Sequence, residues 1–157
     1  MPSAWLKKGI MSKEIEHLTA YFEKGSKENQ EFNIGLEVEH FILNRETHET
    51  MVFDGEHGVG ALMEQLSSGY PEKHMEDGAV ISLESDDILI TLEPGCQLEI
   101  STAPSASVEK VVEAYHQARR EVEEVLDGWG YDLVTEGYLP FGKAAEIPLI
   151  GKERYRC

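Results

Sequence analysis

The chain has 157 residues, 30 acidic against 14 basic side chains, a formal charge of −16 and a hydrophobic fraction of 41%. That length suits a single domain spanning 1–157 with a useful, slightly lean core. The charge argues against nucleic-acid or anionic-membrane partners, which need a basic stripe, and no apolar run approaches membrane-spanning length.

Residues 1–10 show no clear pattern and are left as an unassigned leader; no signal peptide is read there. Residues 12–24 predict a helix, with Ser12 as N-cap, Ile15, Leu18 and Phe22 along one side, and Gly25 as its stop. A strand follows around Gly35–Leu43, a turn at Asn44–His48, and a short return strand around Thr50–Phe53. Gly58, Val59 and Leu62–Leu66 read as a brief helix that Ser67–Pro71 breaks. Ala79–Glu84 and Ile88–Leu92 predict a hairpin around Ser85-Asp86-Asp87. A Pro94-Gly95 interruption then leads into another strand at 97–101. The strongest helical period runs from Pro104 to Leu126, capped by Ser107 and ended by Gly128-Trp129-Gly130. Tyr131–Glu136 reads as a last strand and Gly137 onward as loop. Antiparallel strands with helices on one face make an α+β fold.

Chemistry concentrates in Gly35-Leu36-Glu37-Val38-Glu39-His40. On a strand, Glu37 and Glu39 share one face while Leu36 and Val38 share the other. Adjacent carboxylates repel unless a cation lies between them, and a hard divalent ion such as Mg²⁺ suits oxygen ligands. The competing reading is a solvated acidic face. In Leu92-Glu93-Pro94-Gly95-Cys96-Gln97-Leu98-Glu99, Glu93 and Glu99 likewise alternate away from aliphatic neighbours. A sheet joining both segments gathers Glu37, Glu39, Glu93 and Glu99 on one face. Cys96 and Cys157 form no C-x-x-C pattern, so a reducing cytoplasm is the expected setting and Cys96 is read as a small buried residue. The six histidines lack ligand spacing, which speaks against zinc.

Gly-Leu-Glu-Val-Glu-His-Phe-Ile at 35–42, then Thr-Leu-Glu-Pro-Gly-Cys-Gln-Leu-Glu-Ile-Ser at 91–101, resembles the plant and bacterial type of glutamate–cysteine ligase. Gly137-Tyr138-Leu139-Pro140 and Leu149-Ile150-Gly151-Lys152-Glu153-Arg154-Tyr155 resemble two further elements of that family, in the same order. Cys96 and Gly151 depart from it, standing where the family has glycine and proline. A side chain at 96 is costly if the backbone there needs positive φ. Family members are much longer, so the chain resembles the N-terminal portion of such a ligase, and uncovered sheet edges would then favour self-association.

The resemblance implies part of a glutamine-synthetase-like catalytic domain. It implies an ATP- and Mg²⁺-dependent reaction joining the glutamate γ-carboxylate to the cysteine amine through an acyl phosphate. Glu37, Glu39 and Glu99 become expected metal ligands by match to the motifs. Glu93 is either a fourth ligand or a brace for the Pro94-Gly95 turn. Gln97 is expected to contact substrate or orient a carboxylate. Lys152 and Arg154 are expected to contact phosphate or carboxylate, or else to form an ordinary exposed basic tail. A related ligase with another amine acceptor, or a non-catalytic remnant, are the alternative readings.

Overall fold

In a computed structural model of the chain, residues 8–27 and 32–152 are described, the side chains of residues 8–12 and of Ala144 excepted. The chain divides into two compact units at the Phe32–Asn33 step. The first contains α1 (Lys8–Gly25). It starts four residues ahead of Ser12, so Ser12 lies within the helix and is not its cap. Lys8, Ile10 and Met11 are adequate helix formers and no proline stops the turn. Ile15, Leu18 and Phe22 are exposed along it.

The second unit is a six-stranded antiparallel sheet with two helices. Its elements are β1 (Glu37–Asn44), α2 (Val59–Leu66), β2 (Glu72–Glu76), β3 (Ala79–Glu84), β4 (Ile88–Leu92), β5 (Leu98–Thr102), α3 (Val108–Trp129) and β6 (Tyr131–Val134). The strand order is β2-β3-β4-β5-β1-β6. The α+β expectation holds. Strand alternation sends Ile88, Ile90 and Leu92 of β4, Leu98 and Ile100 of β5, and Ile42 of β1 into one core. Against them pack Val59, Leu62, Met63 and Leu66 of α2 and Tyr115, Ala118, Val122 and Leu126 of α3. A period of two on the strands meets a period near 3.6 on the helices. No helix among the described residues is long and apolar enough to cross a membrane.

Two further local features differ from the sequence reading. The expected return strand at 50–53 shrinks to a single bridge between Leu43 and Thr50. The tight turn explains this: Asn44 Oδ1 accepts from the Glu46 and Thr47 amides, and His48 sits at φ 60°. The chain then runs through residues 51–58 without further strand pairing to the start of α2 at Val59. The second difference is β2, whose Glu-Lys-His-Met-Glu sequence carries no apolar alternation. It is recruited by the turn instead, because Asp77 (φ 49°) and Gly78 (φ 83°) both adopt the left-handed conformation that a two-residue hairpin requires.

Ser107 caps α3 as the sequence predicts, its hydroxyl accepting from the Lys110 amide at 3.3 Å and donating to Glu109 at 2.8 Å. Replacing Ser107 with Ala should lower unfolding stability by about 1 kcal/mol, read from urea midpoints at unchanged m-value.

Candidate functional site

β1 changes neighbours halfway along its length. Glu37–His40 pair with β5, whereas Phe41–Asn44 pair with β6 on the opposite side. Beyond Val134 the chain peels away from β1. The Glu37–His40 half therefore has a strand on one side alone. A cavity of about 760 Å³ opens in that notch. Its walls come from four separate segments: Glu37–Phe41, Gly95 with Gln97, Thr135–Leu139, and Ile147 with Leu149.

The register fixes which carboxylates meet. Glu39 stands opposite Glu99, and Glu37 opposite Ser101. The Thr102 amide donates to the Leu36 carbonyl at 2.8 Å, making that a hydrogen-bonded pair. Alternation then makes Glu39–Glu99 a non-hydrogen-bonded pair, the kind whose side chains stand closer. Thr91 of β4 faces Glu99 from the other flank, and Glu93 follows two residues later, just past the strand end. Glu37, Glu39 and Glu99 thus share the sheet face turned away from α3. Ser101, which the sequence reading did not single out, donates its hydroxyl to Glu99 Oε1 at 2.8 Å. Its place two residues after Glu99 on one strand face was the available signal.

The cavity wall includes the carboxylates Glu37, Glu39 and Glu136 and, among the described residues, no lysine or arginine. Among the described residues, Glu37 and Glu39 make no ion pair. Nor do any three of the described His, Cys, Asp and Glu side chains close around one point as a complete metal cage. Mg²⁺, the cation the resemblance implies, binds through one or two carboxylates and keeps its other positions for water and phosphate oxygen.

Residues 93–97 form a tight three-residue hairpin. The Glu93 amide donates to the Gln97 carbonyl at 2.9 Å and the Cys96 amide to the Glu93 carbonyl at 3.0 Å. Gln97 Oε1 accepts from the Gly95 amide at 3.0 Å. A Cβ on Gly95 would lie 2.9 Å from that oxygen and 3.4 Å from Ile147. Cys96 sits at φ 64°, the left-handed region where glycine is the usual occupant. It is also buried within the core. Burial pushes its thiol up to about 11, with Asp54 adding to the rise.

His40 is fully buried on the opposite face of β1. Its Nδ1 lies 3.1 Å from the Leu98 carbonyl oxygen and its Nε2 lies 2.9 Å from the Tyr115 hydroxyl. Burial lowers its pKa, while the Leu98 carbonyl pulls it upward. Lys152 is not the exposed basic side chain that one reading of the sequence expects. It is buried, and its ammonium donates to the Leu92 carbonyl at 2.6 Å. The β3–β4 ladder ends at Ser82–Thr91, one residue before Leu92. The next residues inward anchor this segment, since the Ile150 amide donates to the Pro94 carbonyl at 2.9 Å. Arg154 lies outside the described residues.

These features define an α+β protein that presents hard oxygen donors on an open sheet face and covers the other face with helices. The chain belongs to glutamate–cysteine ligase family 2, whose profile matches residues 33–157. That range coincides with the second compact unit. It is similar to the chloroplastic glutamate–cysteine ligases of Brassica juncea and Arabidopsis thaliana, each 29% identical over 141 residues. The matched part is 89% of this chain in both cases, but 27% and 26% of the relatives' own length. The tomato (Solanum lycopersicum) chloroplastic enzyme is 28% identical over the same extent, 26% of its length. The chain thus spans about a quarter of the length of the curated relatives it matches.

Two outcomes follow at Cys96. Cys96→Gly and Cys96→Ala both remove the thiol, but alanine keeps the left-handed strain. The glycine variant should be more stable than the alanine variant by about 1 kcal/mol in urea unfolding. In a Cys157→Ser background, Cys96 should resist iodoacetamide at pH 8 in the native state and react once unfolded. The raised pKa makes the folded state hold the proton more tightly. This contribution is full below about pH 9 and is lost as pH rises toward 11.

Proposed function

We propose that this chain carries the metal- and nucleotide-facing part of a glutamate–cysteine ligase. In this reading, ATP, glutamate and cysteine are the substrates and Mg²⁺ is the cofactor. The carrying observation is convergence: four segments that the family motif elements occupy line one cavity, with carboxylates and, among the described residues, no basic side chain in its wall. ATP and glutamate are both anions. A site walled by glutamates repels them unless a cation intervenes.

Glu37 and Glu39 would hold Mg²⁺, with Glu99 beside them across the strand pair. The bound ion supplies charge neutralisation at the transferring phosphoryl group. The chain's own residues do the positioning. β1 and β5 hold the carboxylates at fixed spacing, Ser101 turns the Glu99 carboxylate, and Gln97 locks the hairpin beside the notch. Transfer of the ATP γ-phosphoryl group to the glutamate γ-carboxylate gives an acyl phosphate. Attack by the cysteine amine forms the amide bond and releases phosphate. The alternative reading is a metal- and nucleotide-binding piece without turnover.

Isothermal titration separates these. ATP with Mg²⁺ should bind to the wild-type chain, and Glu37→Gln should weaken that binding about 10-fold or more at unchanged circular dichroism. Phosphate release that depends on glutamate and cysteine supports the ligase reading; ATP binding without it supports the second. No ATP binding with Mg²⁺ present, or equal affinity in the two proteins, would overturn the site.

A further inference from the structure

The half of β1 that bears Glu37 and Glu39 is poorly restrained by the sheet. β5 holds it on one side, β6 has already departed on the other, and Glu39 faces Glu99 at the closer kind of strand pair. Like charges so placed push the strands apart. Directly behind them, on the core face, runs a hydrogen-bond chain with only one possible direction. Arg119 is a donor alone, and its Nη1 donates to the Tyr115 hydroxyl oxygen at 3.3 Å. The hydroxyl proton is therefore left for His40 Nε2, 2.9 Å away. Leu98 offers only a carbonyl to His40 Nδ1 at 3.1 Å, so that nitrogen carries the imidazole proton. Arg119 is itself fixed, donating through Nη2 to the Leu133 carbonyl at 3.2 Å and through Nε to Glu123 at 2.8 Å. One chain thus ties β6, α3, β1 and β5 together at the level where β1 loses its second neighbour.

We propose that Arg119, Tyr115 and His40 are positioning residues that hold Glu39 opposite Glu99 and thereby set the geometry of the acidic face. The proposal rests on the reading of that face as a metal site. His40 ties β1 to the carbonyl of the residue just before Glu99. The side chain of one member of a strand pair thereby fixes the spacing of the next pair. The chain touches neither carboxylate, and it acts through the backbone that presents them.

The test uses the full chain with ¹⁵N-labelled histidine and Mn²⁺ alone as the metal probe. Wild-type protein should show His40 as a single neutral tautomer protonated at Nδ1, and Tyr115→Phe should abolish that single-tautomer signature. Mn²⁺ affinity should fall about 10- to 100-fold in Tyr115→Phe, and also in Arg119→Gln should Tyr115→Phe fold poorly. Tyr70→Phe is the control. It deletes another half-buried hydroxyl bonded to α3, through Glu121, and should leave Mn²⁺ affinity unchanged. An Nε2-protonated His40 in the wild type would overturn the proposal, as would Mn²⁺ binding that Glu37→Gln weakens and Tyr115→Phe does not. Wild-type protein that takes up no Mn²⁺ would instead overturn the metal reading, and the positioning role with it.

Discussion

The structure turns on β1 being shared unequally between two neighbours. Its second half is an ordinary interior strand, flanked by β6 and by the Leu43–Thr50 bridge. Its first half pairs with β5 alone. Had β6 continued four residues further, the notch would be closed and the carboxylates would overlie a continuous sheet. The early departure of β6 makes the cavity and brings Gly137–Leu139 to its wall. It also leaves the glutamate-bearing segment dependent on side chains for restraint. A buried histidine bonded through both ring nitrogens meets that need better than an aliphatic residue, because its bonds reach specific partners on two other elements.

The two faces of the sheet are built on opposite principles. The core face gathers aliphatic side chains under α2 and α3, and every buried side-chain polar atom among the described residues finds a partner. The other face places carboxylates opposite one another. That arrangement lowers stability in the absence of a cation, so it has no rationale as packing. The hairpin at 93–97 shows the same tension locally. Its proline, its close-approach glycine and its glutamine amide all favour one tight conformation, while Cys96 occupies a backbone region that disfavours it. Burial of the Cys96 side chain in the core offsets part of that strain.

Much of this was legible in the residues. Alternation in Ile88–Leu92 and at Leu98 and Ile100 located β4 and β5, and the Val111–Leu126 stripe with Ser107 before it located α3. The shared face of Glu37 and Glu39 followed from period two, and Glu99 joins it through the pairing of β1 with β5. What stayed hidden depended on partners far away in sequence. Nothing in Glu72–Glu76 signals a strand; only the Asp77-Gly78 turn and pairing with β3 create one. Tyr115 lies inside the 104–126 helical period with nothing local to mark it, since its bond to His40 spans 75 residues. Lys152 read as an anion contact or an exposed basic tail, because no local pattern announces that it donates to a carbonyl 60 residues away.

The charge distribution limits what the site can accept. Lys152 is committed to Leu92, Arg119 to α3 and β6, and Arg45 to Asp127 and Asp132. Each of these cations serves the fold, and none of them lines the notch. An anionic ligand therefore meets Glu37, Glu39 and Glu136 with no described basic group to receive it. In the proposed reading, positive charge arrives with the ligand or is bound by the carboxylates beforehand. A divalent ion does this at the least distance from the charges it must offset, whereas lysines placed at the rim would act across solvent and be screened within about 8 Å at physiological salt. In the proposed reading, the same carboxylates that destabilise an empty sheet face are the ones that recruit a metal-bound anion.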